Sequence, residues 1–201
     1  MRRLVLATRN NGKIREIRAI LADLPLEIVD LRAYPDAPEV PEEGPDFAAN
    51  ARGKALAIAA HTGEWTLADD SGLEVEALDG APGVFSARYA GVHGDDRANI
   101  AKLLAEMASV PEGRRRARFV CLAALAAPDG SCFLAEGECG GVIARNPRGE
   151  NGFGYDPVFF LPEYGLTMAE LPEELKNEIS HRARALAKLR PVLAARLAGG
   201  G

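Results

Sequence analysis

Apolar residues along this chain follow two rhythms. Arg3–Thr8 is a short, mostly apolar run that passes directly into the polar turn Arg9-Asn10-Asn11-Gly12. Ile14, Ile17, Leu21 and Leu24 then recur at helical spacing until Pro25, and Leu26–Val29 is apolar again. A strand–helix–strand opening of this kind predicts a parallel unit. Its first loop lies at the carboxyl end of the first strand, where open α/β sheets commonly bind ligands.

Farther along, Tyr34–Pro45 holds four prolines and four acidic residues and reads as a loop. Asp46 then stands where a helix N-cap belongs, ahead of an alanine-rich helix that ends near Gly63. Trp65–Ala68 reads as a strand meeting an Asp69-Asp70-Ser71-Gly72 turn, with Leu73–Val75 extended beyond it. Asp95–Met107 carries Ile100, Leu103, Leu104 and Met107 on one side of a helix. Phe119–Ala126 is almost wholly apolar, the mark of a strand covered on both faces. Pro128–Ser131 turns it back into Cys132–Glu138 as a hairpin partner. A glycine-rich loop at Arg145–Asp156 precedes a strand at Val158–Leu161. Met168–Leu197 reads as helical, interrupted around Pro172 and stopped by the final glycines. Without repeats, low-complexity tracts or a linker, residues 1–201 are expected to form a single α/β domain.

Composition narrows the class. The 201 residues are 47% hydrophobic and 26% charged, as in globular proteins, which excludes disordered, collagen-like and disulfide-framework chains. Twenty-four basic against 29 acidic residues give a net charge of −5, so the whole chain is not a basic nucleic-acid binder. Polyphosphate binding would instead need a local cluster of Lys and Arg. Cys121, Cys132 and Cys139 are odd in number and form no CxxC, so buried thiols in a reducing compartment are expected. The apolar stretch after Met1-Arg2-Arg3 is too short for a signal peptide or a spanning helix. The expectation is a cytoplasmic protein with no membrane segment.

Several local patterns carry chemistry. Thr8, Arg9, Asn10, Asn11, Gly12 and Lys13 bring a hydroxyl, amides and a cation to a helix start, where free N–H groups favour an anion. A plain helix cap with a solvated lysine explains the same residues. Glu42, Asp69 and Asp70 are candidate ligands for magnesium, which prefers carboxylate oxygens and shares substrate phosphates. Asp69 and Asp70 start toward opposite strand faces, so one can enter a site while the other anchors the turn. An Asx turn is the alternative. Lys54 shares a helix face with Asn50 and could reach phosphate or remain solvated. Lys176–Arg182 is dense in side-chain donors and would suit a base edge; a charged helix start is the alternative. Gly152-Phe153-Gly154-Tyr155-Asp156 offers a ring for stacking on a base, or else a loop pinned by core aromatics. HExxH, GxSxG and EF-hand patterns are absent, and Ile14 stands where a Walker loop needs Ser or Thr.

Six segments in order resemble the inosine triphosphate pyrophosphatase, or Ham1-like, family. They are Thr8-x-Asn10-x-x-Lys13, Glu42–Ala55, Ala68–Leu73, Gly80–Tyr89, Gly152–Phe159 and Lys176–Arg182. Asp46 and Ala49 stand where the family has Thr and Glu, and Arg9 replaces a small residue. The resemblance implies a homodimer with a long twisted mixed sheet flanked by helices and two lobes around an active-site cleft. It implies Mg²⁺-dependent hydrolysis of purine nucleoside triphosphates (dITP, ITP, XTP) to the monophosphate and pyrophosphate. It assigns the metal to Glu42 and Asp70 and the general base to Asp70. Substrate contacts fall to Thr8–Lys13, Ser71, Phe153, Gly154, Tyr155, Asp156, Lys176, His181 and Arg182. With those phosphates placed, Lys13 and Lys54 would stabilise the charge that develops on them. A Maf-like pyrophosphatase and a non-catalytic nucleotide-binding module are the alternatives.

Overall fold

The computed structural model describes Arg2–Ala198; the final glycines expected to stop the last helix lie outside the described residues. Seven strands form one mixed sheet in the order β2-β1-β3-β4-β5-β6-β7. They are β1 (Arg2–Leu6), β2 (Leu26–Asp30), β3 (Trp65–Val75), β4 (Arg116–Ala126), β5 (Cys132–Ile143), β6 (Phe159–Leu161) and β7 (Leu166–Thr167). Strand β1 pairs in parallel with β2 and β3, with Leu4 opposite Ile28 on one side and Trp65 on the other. The other end is antiparallel: Ile143 faces Phe159, and Leu161 faces Leu166.

The helices follow their caps. Helix α1 (Asn11–Ile20) starts where the Asn10 side chain accepts from the backbone N–H of Gly12 and Lys13. Helix α2 (Phe47–Thr62) starts where Asp46 accepts from Ala49 N–H, at 2.8 Å, so the Asp that replaces Thr still caps. Asp95 caps α3 (Asp96–Glu106) through Ala98 N–H in the same way. The last helical stretch breaks twice: α4 (Glu173–Ile179) follows Pro172, and an extended Ser180 separates it from α5 (His181–Leu193).

The chain divides into two compact units, and its large apolar clusters divide with it. The first unit takes the residues up to Asp70, Cys121–Gly137 and those from His181 onward. Strand β1 has apolar side chains on both faces there, as a central parallel strand requires. Leu4 and Leu6 pack with Ile14, Ile17 and Leu189, while Val5 and Ala7 pack with Ala51, Ala55 and Ile58. The second unit takes Ser71–Val120 and Glu138–Ser180. Its core joins Leu73, Leu103, Met107, Phe119 and Phe159, with the last two ring centroids 4.3 Å apart.

One expected turn is absent. Asp69-Asp70-Ser71-Gly72 does not fold back; β3 runs through it for 11 residues. Both Asp side chains are buried and have charged or amide partners, which removes the reason for an Asx turn.

Candidate functional site

The loop after β1 is built from its own backbone. Thr8 Oγ1 accepts from Asn10 N–H at 3.1 Å, and Asn10 Oδ1 then accepts from Gly12 and Lys13 N–H at 2.8 and 3.1 Å. These bonds hold the chain entering α1 and leave Asn11 exposed at its first position. Arg9 is also exposed, with Glu39 3.7 Å away. Lys13 is not a solvated lysine. Its Nζ lies 3.1 Å from Asp69 Oδ1 and donates to the Asp69 carbonyl oxygen at 3.2 Å.

Asp69 and Asp70 find different partners, as strand alternation requires. Asp70 Oδ2 accepts from Asn50 Nδ2 at 2.8 Å. Asn50 Oδ1 in turn accepts from Gly44 N–H at 2.7 Å, which draws the loop carrying Glu42 onto α2. A Cβ on Gly44 would sit 2.6 Å from that Oδ1, so the approach requires glycine. Glu42 forms an ion pair with Lys54, one turn beyond Asn50 on α2. Burial works against the Glu42 charge, but Lys54 prevails and holds the carboxyl below its usual range. Asp70 moves the other way. Burial raises it, and the Glu42 charge adds to the rise, against the pull of Lys13, Asn50 and Lys54.

Glu42 and Asp70 therefore supply hard oxygen donors whose charges act on each other. Among the described residues no three His, Cys, Asp or Glu side chains are grouped to cage a metal. Two carboxylates fit an ion that keeps several waters and shares phosphate oxygens, as Mg²⁺ does.

The structure ties the guanidinium of Arg182 to two carboxylates of the same unit. Arg182 is almost fully buried, with Nε and Nη2 donating to Asp69 Oδ2 at 3.1 and 2.8 Å and Nη1 bonded to Glu16. Burial alone would disfavour its charge, but the two carboxylates hold it protonated. Charge-assisted bonds of this kind offset the desolvation of three buried ions only when the geometry is good. His181, beside it at the start of α5, is buried too.

In the second unit, Phe153-Gly154-Tyr155-Asp156 forms a tight loop. Asp156 Oδ2 accepts from Phe153 N–H at 2.9 Å and pairs with the buried Lys176. Lys176 Nζ lies 5.0 Å from the centroid of the half-buried Phe153 ring. Gly152 has φ +77°, and a Cβ there would lie 2.0 Å from Asp156 Oδ2, so both conformation and contact require glycine. Tyr155 is buried, and its hydroxyl donates to the Ser86 carbonyl oxygen at 2.8 Å. It serves as the loop's anchor. Ser71 continues β3 in this unit and is half-buried.

Comparison with known proteins places the chain in one family. A Ham1 family model matches residues 4–192. A Geobacter sulfurreducens dITP/XTP pyrophosphatase is 57% identical over 94% of this chain and 96% of its own length. One from Desulforamulus reducens is 54% identical over 95% of each. A solved HAM1 protein structure from Coxiella burnetii superposes with a TM-score of 0.87 at 42% identity, covering 97% of this chain and all of that one. This chain belongs to the Ham1 family.

Glu16, Asn50 and Ser86 escaped the sequence reading as parts of these networks. Asn50 left a signal through its shared helix face with Lys54, and Ser86 through the Gly80–Tyr89 segment; Glu16 meets a partner distant in sequence.

Proposed function

We propose that this protein hydrolyses the purine nucleoside triphosphates dITP, ITP and XTP to the monophosphate and pyrophosphate, clearing them from the nucleotide pool before they enter DNA or RNA. The observation that carries this reading is the gathering of Glu42, Asp70, Lys13 and Lys54 in one unit. Carboxylates for a metal and a base stand with two cations suited to phosphate. Relatives named dITP/XTP pyrophosphatase at 54–57% identity over nearly the whole chain support the substrate class.

In this reading a water oxygen bonds to the α-phosphorus. The bond from that phosphorus to the α–β bridging oxygen breaks, and pyrophosphate leaves. Asp70 orients the water and takes its proton as the general base. Lys13 and Lys54 stabilise the charge that builds on the phosphate oxygens. Glu42 and Asp70 would hold Mg²⁺, which supplies charge neutralisation at the phosphates when bound. Phe153 offers its ring to the purine, and the Phe153–Asp156 loop with Lys176 shapes that contact.

The same reading makes the protein a cytoplasmic homodimer. Among the described residues no helix is long and apolar enough to cross a membrane.

Pyrophosphate release across a nucleotide panel tests the proposal. Turnover of dITP, ITP and XTP that EDTA abolishes, with dATP far slower, is expected. Release of single phosphates instead, or activity indifferent to EDTA, would contradict it.

A further inference from the structure

The Gly80–Tyr89 segment is one of the six family-like segments and has no part in the chemistry above. It forms a short 3₁₀ turn over Gly83–Arg88, with Ser86 buried inside it. Ser86 is bonded on three sides. Its Oγ donates to the Gly83 carbonyl at 2.6 Å and accepts from Leu73 N–H at 2.9 Å. Its carbonyl oxygen accepts from the Tyr155 hydroxyl at 2.8 Å. Leu73 lies in β3, two residues beyond Ser71, so Ser86 ties the Tyr155 loop to that strand.

A second tether reaches the same loop from another element. Asp96, the first residue of α3, accepts from Gly154 N–H through Oδ2 at 2.7 Å. Gly154 lies between Phe153 and Tyr155. The loop is thus gripped at two adjacent residues, by a buried serine turn and by an exposed carboxylate. Together they hold the segment from which the Phe153 ring projects.

The geometry points to Ser86 and Asp96 as positioning residues for purine recognition, acting through Phe153. Without them the loop keeps its Asp156–Lys176 pair but gains conformers in which the ring is misplaced. Ordering the loop on binding then costs affinity, and the effect falls on KM rather than kcat. This inference rests on the proposed stacking of a purine on Phe153.

Asp96→Ala, Ser86→Ala and Phe153→Ala, with the double variant Asp96→Ala/Phe153→Ala, test it. Asp96 is exposed, so its variant should fold even if the buried Ser86 variant does not. Loss of a hydrogen bond of this kind predicts a roughly three- to tenfold rise in KM for dITP in Asp96→Ala, with kcat changing less. In the Phe153→Ala background the same substitution should add little, because residues acting through one contact are not additive. Amide exchange at Gly154, read without nucleotide, should quicken in Asp96→Ala. It reports the tether whether or not dITP is the substrate. An unchanged KM, an undiminished effect in the double variant, or unchanged exchange at Gly154 would each overturn the inference.

Discussion

The cluster around Asp70 in the first unit and the Phe153 loop in the second are held by different forces. The first is built from ions that are distant in sequence. Lys13 meets Asp69 56 residues away, and Arg182 meets it from 113 residues away. The second is built mainly from backbone groups: Phe153 and Gly154 donate amides to Asp156 and Asp96, and Tyr155 donates to a main-chain oxygen. The difference follows the chemistry proposed for each. Charge developing on phosphate needs fixed cations and carboxylates, whose cost of burial is offset only by other ions. Stacking needs a ring held at the right angle, which a hydrogen-bonded loop with the Asp156–Lys176 ion pair can supply.

The comparison predicts unequal consequences of substitution. Asp70→Asn should lower kcat by about 10²–10⁴-fold, the usual worth of a general base, with a much smaller change in KM. Steady-state kinetics with dITP checks this; a near-normal kcat would move the base elsewhere, with Asp69 the next candidate. Arg182→Ala should destabilise the fold by about 3–5 kcal/mol, because it leaves Asp69 and Glu16 buried without their shared cation. A urea titration at neutral pH reads this loss. A loss below about 1 kcal/mol, typical of exposed pairs, would mean that the network is no anchor. Phe153→Ala should weaken binding of non-hydrolysable dITP and XTP analogues alike, by about 1–3 kcal/mol, while stability changes little. Unequal losses for the two bases would show that the ring reads base identity as well as stacking.

The sequence disclosed the two regions unevenly for the same reason. Local signals were legible: the Asn10 and Asp46 caps, the apolar run ending β4, and the Pro172 break each depend on neighbours within a few residues. Asp70, Glu42, Lys13 and Lys54 were legible as residue types suited to phosphate and metal. Their partners were not. Nothing local shows that Arg182 turns inward, since its carboxylates come from α1 and β3. The run through Asp69–Gly72 was misleading because Asp, Ser and Gly favour turns when nothing else binds them. Here Asn50 and Arg182 bind the two aspartates and the strand continues. Ser180, which separates α4 from α5, carries no proline or glycine to announce the break.

In the proposed reaction the first unit's cluster directs water to the α-phosphorus. Hydrolysis of dITP in ¹⁸O-labelled water with Mg²⁺, followed by mass spectrometry of both products, tests it most directly. Attack at the α-phosphorus puts the label in dIMP and leaves pyrophosphate unlabelled. Label in pyrophosphate, or formation of dIDP with labelled phosphate, would contradict it.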